Sequence, residues 1–251
     1  MKFLIQKIDN QIRHDFAFTL LEAVRFRNWL EHTSNITVKY INTKETDTIF
    51  EFKPMHKNYV PIGSVEFVSA HLNHFYGLTP KPINVPVELF PLTNREIWNG
   101  GNMSLEGLKG RWFVKSNDKI KDVAKIVEDP DILSVPPDGN YQISEYITID
   151  SEWRAFVYKG KLVGLQHYVG EFTMFPNVFL INMMIKDYKS APVAYTLDVG
   201  VYNHCDTFVI EVHDFFSCGL YGFSDLSKLP SMFYRWYTKY INKNNGTERT
   251  I

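Results

Sequence analysis

Two acidic residues in the C-terminal half, Asp198 and Glu211, form the first candidate site. The polar stretch 203–206 separates two apolar runs and predicts the turn of a hairpin. If the turn is centred between His204 and Cys205, the two carboxylates stand directly opposite each other on neighbouring strands. Like charges repel in that position, and a divalent cation between them would make the contact favourable. The alternative is an exposed sheet face that carries solvated acids.

His213 extends this pattern. Side chains alternate along a strand, so His213 is expected on the same face as Glu211, with Ile210 and Val212 on the other face. Asp198 and Glu211 are therefore the candidate metal ligands, and His213 lies beside them on the same face.

Glu152 and Arg154 form a second candidate pair on a predicted strand. The strand precedes Lys159-Gly160-Lys161, which is a tight-turn signal. The acid and the base lie two positions apart and share one strand face. Arg154 could hold a phosphate or carboxylate with two parallel hydrogen bonds. The alternative is a surface ion pair that contributes little to stability.

A group of lysines is the third candidate. Lys115 ends the apolar run RWFVK, and Lys119 and Lys121 follow in a polar segment. Lysine side chains can bind the phosphates of a nucleotide as point charges. Alternatively, Lys115 is a solvated strand end and the segment after it is a solubilising loop.

These residues depend on predicted strands in the second half of the chain. The alternation of apolar and polar residues predicts strands over 111–115, 141–147, 153–158, 162–168, 194–201 and 207–213. A helix is predicted over 122–128, and a helix with an aromatic face follows Pro230 over 232–241.

The first half of the chain predicts a mixture of strands and helices. Strands are expected at KFLIQ, 36–41 and 48–52, a helix over 16–29, and a turn over 60–63. Ser64 is expected to cap a second helix, which Gly77 would end. The proline-rich segment 79–91 is the expected lobe boundary. We therefore expect an α+β protein in which helices pack on antiparallel sheets, with an N-terminal α/β lobe over 1–95 and a second region over 96–251.

Composition narrows the class of protein. The 251 residues are 45% hydrophobic and 15% aromatic, which predicts a folded core. A net charge of −1 disfavours a nucleic-acid binder. Cys205 and Cys218 lack CxxC spacing and are typical of reduced thiols in a cytoplasmic protein. The chain shows no signal peptide and no apolar run as long as a membrane span.

The order of the candidate residues resembles that of the ATP-grasp superfamily. A lysine ends a strand, Glu145 lies in the apolar-flanked run ISEYI, and a second acid, Glu152, follows seven residues later. Asp198 and Glu211 are the last two residues of this order. The segments FVKSNDKIK, SEWRAFVYKGKLV and AYTLDVGV with FVIEVHDFFSCGLYGF are similar to a phage- and bacteria-associated subgroup characterised by one arginine and two lysines.

The resemblance implies a nucleotide site between two lobes of an ATP-grasp fold. Lys115 would contact the α-phosphate, Glu145 with the backbone of Tyr146 and Ile147 would contact adenine, and Glu152 would hold the ribose. ATP and Mg²⁺ are the implied cofactors.

The resemblance also implies the residues that act on the phosphates. Lys121 or Lys119 would be the second phosphate-binding lysine, and Arg154 would orient the γ-phosphate or an acyl phosphate. Asp198 and Glu211 would hold Mg²⁺, together with His213. The family has an asparagine at the position of His213, and FSCGLYGF lacks the family's usual proline-arginine.

The implied activity is that of an amide-forming ligase. Such an enzyme activates a carboxylate substrate as an acyl phosphate, which an amine acceptor on an amino acid, peptide or protein then attacks. The glycine-rich segment and the loop 170–189 are expected to cover the acceptor. Two alternatives stay open: a kinase-like phosphotransferase, and a binding module that keeps the fold and has lost turnover.

Overall fold

A computed structural model describes residues 1–32, 35–203 and 206–244. Eleven strands lie within these residues: β1 (Lys2–Ile8), β2 (Thr37–Thr43), β3 (Val60–Ile62), β4 (Ile97–Gly100), β5 (Arg111–Ser116), β6 (Ala124–Glu128), β7 (Tyr141–Glu145), β8 (Ser151–Tyr158), β9 (Lys161–Gly170), β10 (Ala194–Tyr202) and β11 (Asp206–Asp214). The α-helices of the described residues are α1 (Asp15–Leu30), α2 (Val65–Tyr76), α3 (Val178–Asp187) and α4 (Leu229–Asn244).

The chain divides into two compact units. The first contains Met1–Thr79, Pro192–Ala194 and the residues from Phe215 onward, and the second contains Pro80–Ala191 with Tyr195–Asp214. The break after Thr79 lies at the proline-rich segment. The units differ from the expected regions 1–95 and 96–251, because the C-terminal helix α4 makes its contacts with α1 and β3.

A three-stranded parallel sheet forms the centre of the first unit. The strand order is β2-β1-β3, so β1 is the central strand. Its residues Phe3, Leu4 and Ile5 are fully buried, which explains the continuous apolar run in the sequence. The three strands are parallel, whereas the expected sheets were antiparallel. The helices α1 and α4 contact each other through Phe16 and Phe233.

Helix α2 begins and ends at the predicted residues. The hydroxyl of Ser64 accepts a hydrogen bond from the backbone of Phe67, which satisfies one of the free N–H groups of the first turn. Gly77 ends the helix in the left-handed conformation, with φ of 67°. Both predictions are confirmed.

Two predictions in the first unit are wrong. Residues 60–63 were expected to form a turn, but Val60–Ile62 is a strand that pairs with β1. Its proline is tolerated because β3 lies at the edge of the sheet. Residues 48–52 are irregular and not a strand. Their apolar side chains contact a helix instead of a neighbouring strand, since the rings of Phe50 and Phe52 pack against Phe67.

Two four-stranded antiparallel sheets form the second unit. One has the order β11-β10-β8-β9, and the other has the order β4-β7-β5-β6. Trp153, Val199 and Val209 from the first sheet pack with Ile181 and Met184 of α3 in one apolar core. A smaller core, which includes Trp112 and Tyr141, lies on the second sheet. The two sheets hold most of the candidate site residues.

Two predictions from the sequence are wrong or incomplete in this unit. The helix predicted over 122–128 is strand β6, which pairs with β5, and its β-branched Ile126 and Val127 favour a strand. The segment 170–189 contains helix α3 and is not only a loop. Asn177 caps this helix by accepting hydrogen bonds from two backbone N–H groups.

Two further predictions concern the cysteines and the membrane. Cys218 is buried and forms no disulfide among the described residues, while Cys205 and its neighbour His204 lie outside them. Among the described residues, none of the helices combines the length and apolarity that a membrane crossing requires.

Candidate functional site

The hairpin of β10 and β11 brings Asp198 directly opposite Glu211, as predicted. The pairing nearer the turn differs from the prediction by one residue, because Val199 pairs with Val209 and Tyr202 pairs with Asp206. A bulge after Asp198 leaves Ile210 without a partner and restores the predicted register. The predicted centre of the turn lies outside the described residues.

Ile210 and Glu211 both line the same cleft. The prediction that Ile210 lies on the face opposite Glu211 assumed regular alternation, which the bulge interrupts. Val212 is buried in the apolar core, as expected from strand alternation.

Asp198 and Arg154 form a buried, bidentate ion pair. The Nε of Arg154 donates to Oδ1 of Asp198 over 2.8 Å, and Nη2 donates to Oδ2 over 2.7 Å. The side chains are only 8% and 1% exposed. Two parallel hydrogen bonds between planar groups fix the carboxylate in position and orientation. Arg154 therefore orients an acidic side chain in this structure.

Glu211 pairs with two cationic groups. Lys115, at the end of β5 on the other sheet, donates to Oε2 of Glu211. The Nε2 of His213 lies 2.8 Å from Oε1 of Glu211 and 3.6 Å from Oδ2 of Asp198. One donor atom from each of Asp198, Glu211 and His213 lies within 4.8 Å of the others. The three predicted metal ligands are therefore brought together.

Charges in this cluster shift each other's pKa values. Burial alone would raise the pKa of Glu211, but His213 and Lys115 outweigh it and hold that pKa far below its ordinary range. Burial likewise opposes the ionised form of Asp198, yet hydrogen bonds from Arg154 and the charge of His213 lower its pKa. Burial would lower the pKa of His213, but the charges of Glu211 and Asp198 raise it to about 9. Both carboxylates are thus ionised at neutral pH.

The two sheets of the second unit enclose an open cleft of about 270 Å³. Phe113, Ile126 and Ile149 contribute apolar side chains to its walls. Most of the residues predicted to bind a nucleotide line the same cleft: Lys115, Glu145, Tyr146, Ile147, Glu152 and Glu211.

Lys119 and Lys121 lie outside this set. Their side chains are exposed, and neither lines the cleft. The structure therefore does not bring them together with Lys115.

Tyr168 is a site residue that the sequence reasoning missed. Its hydroxyl donates to Oε2 of Glu152 over 2.7 Å and lies 3.4 Å from Oδ2 of Asp198. Burial, followed by the charges of Asp198 and Glu152, raises the pKa of this hydroxyl well above its usual range, so it stays protonated. Strand alternation could not have placed Tyr168 here, because Gln166 pairs with Arg154 only beyond a bulge between Phe156 and Val157, and Tyr168 lies at a second bulge.

Arg95 is a second missed residue. Its Nη1 donates to the backbone oxygen of Val209 over 2.9 Å, and its Nη2 donates to that of Ile210 over 3.0 Å. These oxygens lie at the bulge, where strand pairing is interrupted. Burial lowers the pKa of Arg95 to about 10, although the charge of Glu211 opposes the change. Arg95 thus carries positive charge into the wall of the cleft.

The second unit therefore presents a cleft between two antiparallel sheets, with a lysine at the end of one sheet and acidic residues on the other. This arrangement is that of an ATP-grasp domain. The match over residues 92–229 is to the ATP-grasp domain, R2K clade family 2, and the chain belongs to this family.

Solved structures support the same fold. D-alanine–D-alanine ligase from Bacillus anthracis complexed with ATP is 14% identical, with a TM-score of 0.51 and coverage of 97% of this chain and 99% of that one. D-cycloserine synthetase DcsG is 11% identical, with a TM-score of 0.56 over 96% of this chain and 100% of that one. A RimK domain ATP-grasp protein from Sphaerobacter thermophilus is 13% identical, with a TM-score of 0.51 over 96% and 99% of the two chains.

At these identities the likeness establishes the fold alone. No curated protein sequence matches the chain.

Proposed function

We propose that the protein is an ATP-dependent ligase that joins a carboxylate to an amine through an acyl phosphate. The observation that supports this proposal is that Lys115, Glu152 and Glu211 line one cleft together with residues 145–147. Ligases with this fold include D-alanine–D-alanine ligase from Bacillus anthracis. The substrates proposed here are an amino acid, a peptide or a protein.

The cleft offers a suitable environment for each part of ATP. The apolar side chains of Phe113 and Ile126 would contact the faces of the adenine ring, while the backbone at Tyr146 and Ile147 would bind its polar edge. The carboxylate of Glu152 would accept hydrogen bonds from the ribose hydroxyls.

Positive charge near the acidic cluster would bind the phosphates. Lys115 would move from Glu211 to a phosphate oxygen, and Arg95 would supply a second positive charge within the wall of the cleft. Arg95 is a better candidate than Lys119 or Lys121, because it lines the cleft and the two lysines do not. Arg154 would act as a positioning residue through its two hydrogen bonds to Asp198.

The donor atoms of Asp198, Glu211 and His213 fit a divalent cation. The donor atoms of two carboxylates and an imidazole lie within 4.8 Å of one another, and the nitrogen would offer its lone pair once a bound cation replaces its proton. When bound, such a cation would neutralise charge on the transferring phosphoryl group. The negative charges that would hold it are fixed by Arg154 and by the hairpin register.

The proposal is tested by nucleotide binding and by trapping the intermediate. Isothermal titration with a non-hydrolysable ATP analogue should show binding that depends on a divalent cation and weakens in Lys115→Met. ATP with a panel of amino acids and dipeptides should then release ADP and phosphate, and hydroxylamine should trap the acyl phosphate as a hydroxamate. Absence of analogue binding at millimolar concentration would contradict the proposal.

A second candidate is a binding module that has lost turnover. The observation that favours it is that Glu211 already pairs with both Lys115 and His213 in this structure. In a binding module, Glu211 would keep its contacts with Lys115 and His213 in the presence of the ATP analogue. Analogue binding without ADP release from any acyl donor would favour the binding module.

A further inference from the structure

The chemistry of the donor atoms at the acidic cluster indicates which cation the cleft would select. Asp198 and Glu211 contribute oxygen, while His213 contributes a ring nitrogen. The Nε2 atom itself faces both carboxylates, at 2.8 Å from Oε1 of Glu211 and 3.6 Å from Oδ2 of Asp198. A cation bound by both acids would therefore meet the imidazole nitrogen and not a carbon edge of the ring.

The backbone keeps His213 at this position. Beyond the bulge at Ile210, His213 pairs with Thr196 while Glu211 pairs with Asp198, so all four side chains are in register. Since side chains alternate along a strand, His213 and Glu211 share one face. The buried ion pair with Arg154 fixes the facing carboxylate. The pairing of β10 with β11 therefore holds the ring nitrogen of His213 in the cluster, and no loop is needed to bring it there.

Mg²⁺ and the first-row transition ions respond differently to such a donor set. Mg²⁺ prefers oxygen ligands in near-ideal octahedral geometry. Imidazole nitrogen suits transition ions, whereas carboxylate and water suit Mg²⁺, Ca²⁺ and Mn²⁺. Among these ions, Mn²⁺ accepts oxygen-rich coordination and is also a first-row transition ion that binds imidazole nitrogen.

We infer that the site takes Mn²⁺ in preference to Mg²⁺, with His213 as the ligand that makes the difference. The inference rests on the proposed function, because the cation would accompany a nucleotide in the cleft. The cation can also be studied without a nucleotide, because all three donor atoms belong to the protein.

Electron paramagnetic resonance tests the inference without any turnover. The purified protein is titrated with Mn²⁺ alone, and the bound ion is then examined by electron spin echo envelope modulation. We expect nitrogen-14 modulation from the ring of His213, and its loss in His213→Asn, which replaces the nitrogen with an amide oxygen. Competition should show Mn²⁺ preferred over Mg²⁺ in the wild-type protein, with the preference reduced on the order of tenfold in His213→Asn.

Controls separate a change of ligand from a change of fold. His32→Asn replaces an exposed histidine in the other unit and should leave both the modulation and the preference unchanged. Because the wild-type modulation is measured directly, the test does not depend on how well His213→Asn folds. Bound Mn²⁺ without nitrogen modulation, or equal affinities for Mg²⁺ and Mn²⁺ in the wild-type protein, would overturn the inference.

The same samples distinguish the inference from the proposed function. Titration with the ATP analogue is repeated with each ion. If the analogue binds with neither ion, the proposed function fails, and the titration with Mn²⁺ alone still decides the identity of the ligand. If the analogue binds equally well with both ions and His213→Asn changes nothing, the nucleotide site stands and the inference fails.

Discussion

The ammonium group of Lys115 pairs with the carboxylate of Glu211, although the two residues lie on different sheets and 96 positions apart in the sequence. Both side chains are largely buried, with exposed fractions of 23% and 22%. Lys115 thus contacts the residue that we propose as a metal ligand. A nucleotide in the cleft would compete with Glu211 for this lysine.

The first prediction concerns this lysine. Replacing Lys115 with Met keeps the apolar stem and removes the charge, so the phosphates of a bound nucleotide would lose one charge-assisted hydrogen bond. We expect affinity for a non-hydrolysable ATP analogue to fall by about tenfold to a hundredfold, measured by isothermal titration.

Lys119→Met is the matched control for Lys115→Met. Lys119 is exposed and does not line the cleft, so its substitution should leave affinity nearly unchanged. Equal losses in the two variants would mean that the lysines bind the nucleotide through a general electrostatic attraction, and the assignment of Lys115 would be wrong.

The second prediction concerns the buried pair of Arg154 and Asp198. Arg154→Met would leave the carboxylate buried without its main partner, which destabilises a protein by about 3–5 kcal/mol. Urea denaturation at neutral pH measures the change in the free energy of unfolding. In a double-mutant cycle with Asp198→Asn, the double variant should lose less stability than the sum of the two single variants.

An exposed pair provides the comparison. Arg25 lies 2.7 Å from Glu22 on helix α1, and both side chains are exposed to solvent. Arg25→Met should cost at most about 1 kcal/mol. If Arg154→Met costs no more than Arg25→Met, the buried pair does not hold Asp198 as we describe.

The opposition of Asp198 and Glu211 could be predicted from the sequence, because apolar strands flank a polar turn. The register near the turn could not. At this bulge the backbone oxygens of Val209 and Ile210 accept hydrogen bonds from Arg95, which lies 114 positions from Val209. No local pattern indicates a contact over that distance.

The positions of the cationic residues also depend on contacts between residues that are far apart in the sequence. Arg154, Lys115 and Lys119 look equally able to bind a phosphate in the sequence, because charge and residue type are all that it provides. The fold distinguishes them, since Arg154 is buried against Asp198, Lys115 lines the cleft and Lys119 is exposed. Most of the strands and the two caps of helix α2, by contrast, follow local patterns that predict them.

The third prediction concerns the hydroxyl of Tyr168. Tyr168→Phe removes the hydrogen bond to Glu152 and the contact with Asp198 without changing the ring. Because the hydroxyl contacts two carboxyl groups in a buried site, we expect a loss of about 1–3 kcal/mol in the free energy of unfolding. If Glu152 binds the ribose, affinity for the ATP analogue should also fall, while adenine alone should bind as before.

Tyr202→Phe is the control for this substitution, because Tyr202 is an exposed residue near the hairpin turn. It should change neither stability nor affinity beyond the error of the measurement. A Tyr168→Phe variant that behaves like Tyr202→Phe would show that Glu152 keeps its position without the hydroxyl.

The fourth prediction concerns His71, a fully buried residue of helix α2 in the first unit. Its Nε2 lies 3.0 Å from the backbone oxygen of His56, and its ring packs against Phe52 and Phe75. Burial, as the main cause, lowers the pKa of His71 from 6.5 to about 4. The folded protein therefore favours the neutral ring.

This shift makes stability depend on pH in a definite direction. Between pH 6.5 and about 4 the unfolded chain binds a proton at His71 that the folded chain does not, so stability falls as pH falls. The contribution of His71 is complete above pH 6.5, and about 3 kcal/mol is lost by pH 4. Denaturation with urea across this range measures the change, and His71→Phe should reduce the total loss of stability between pH 6.5 and 4 by this amount. The exposed control His32→Asn should keep the wild-type slope, and an unchanged slope in His71→Phe would show that other groups cause the acid sensitivity.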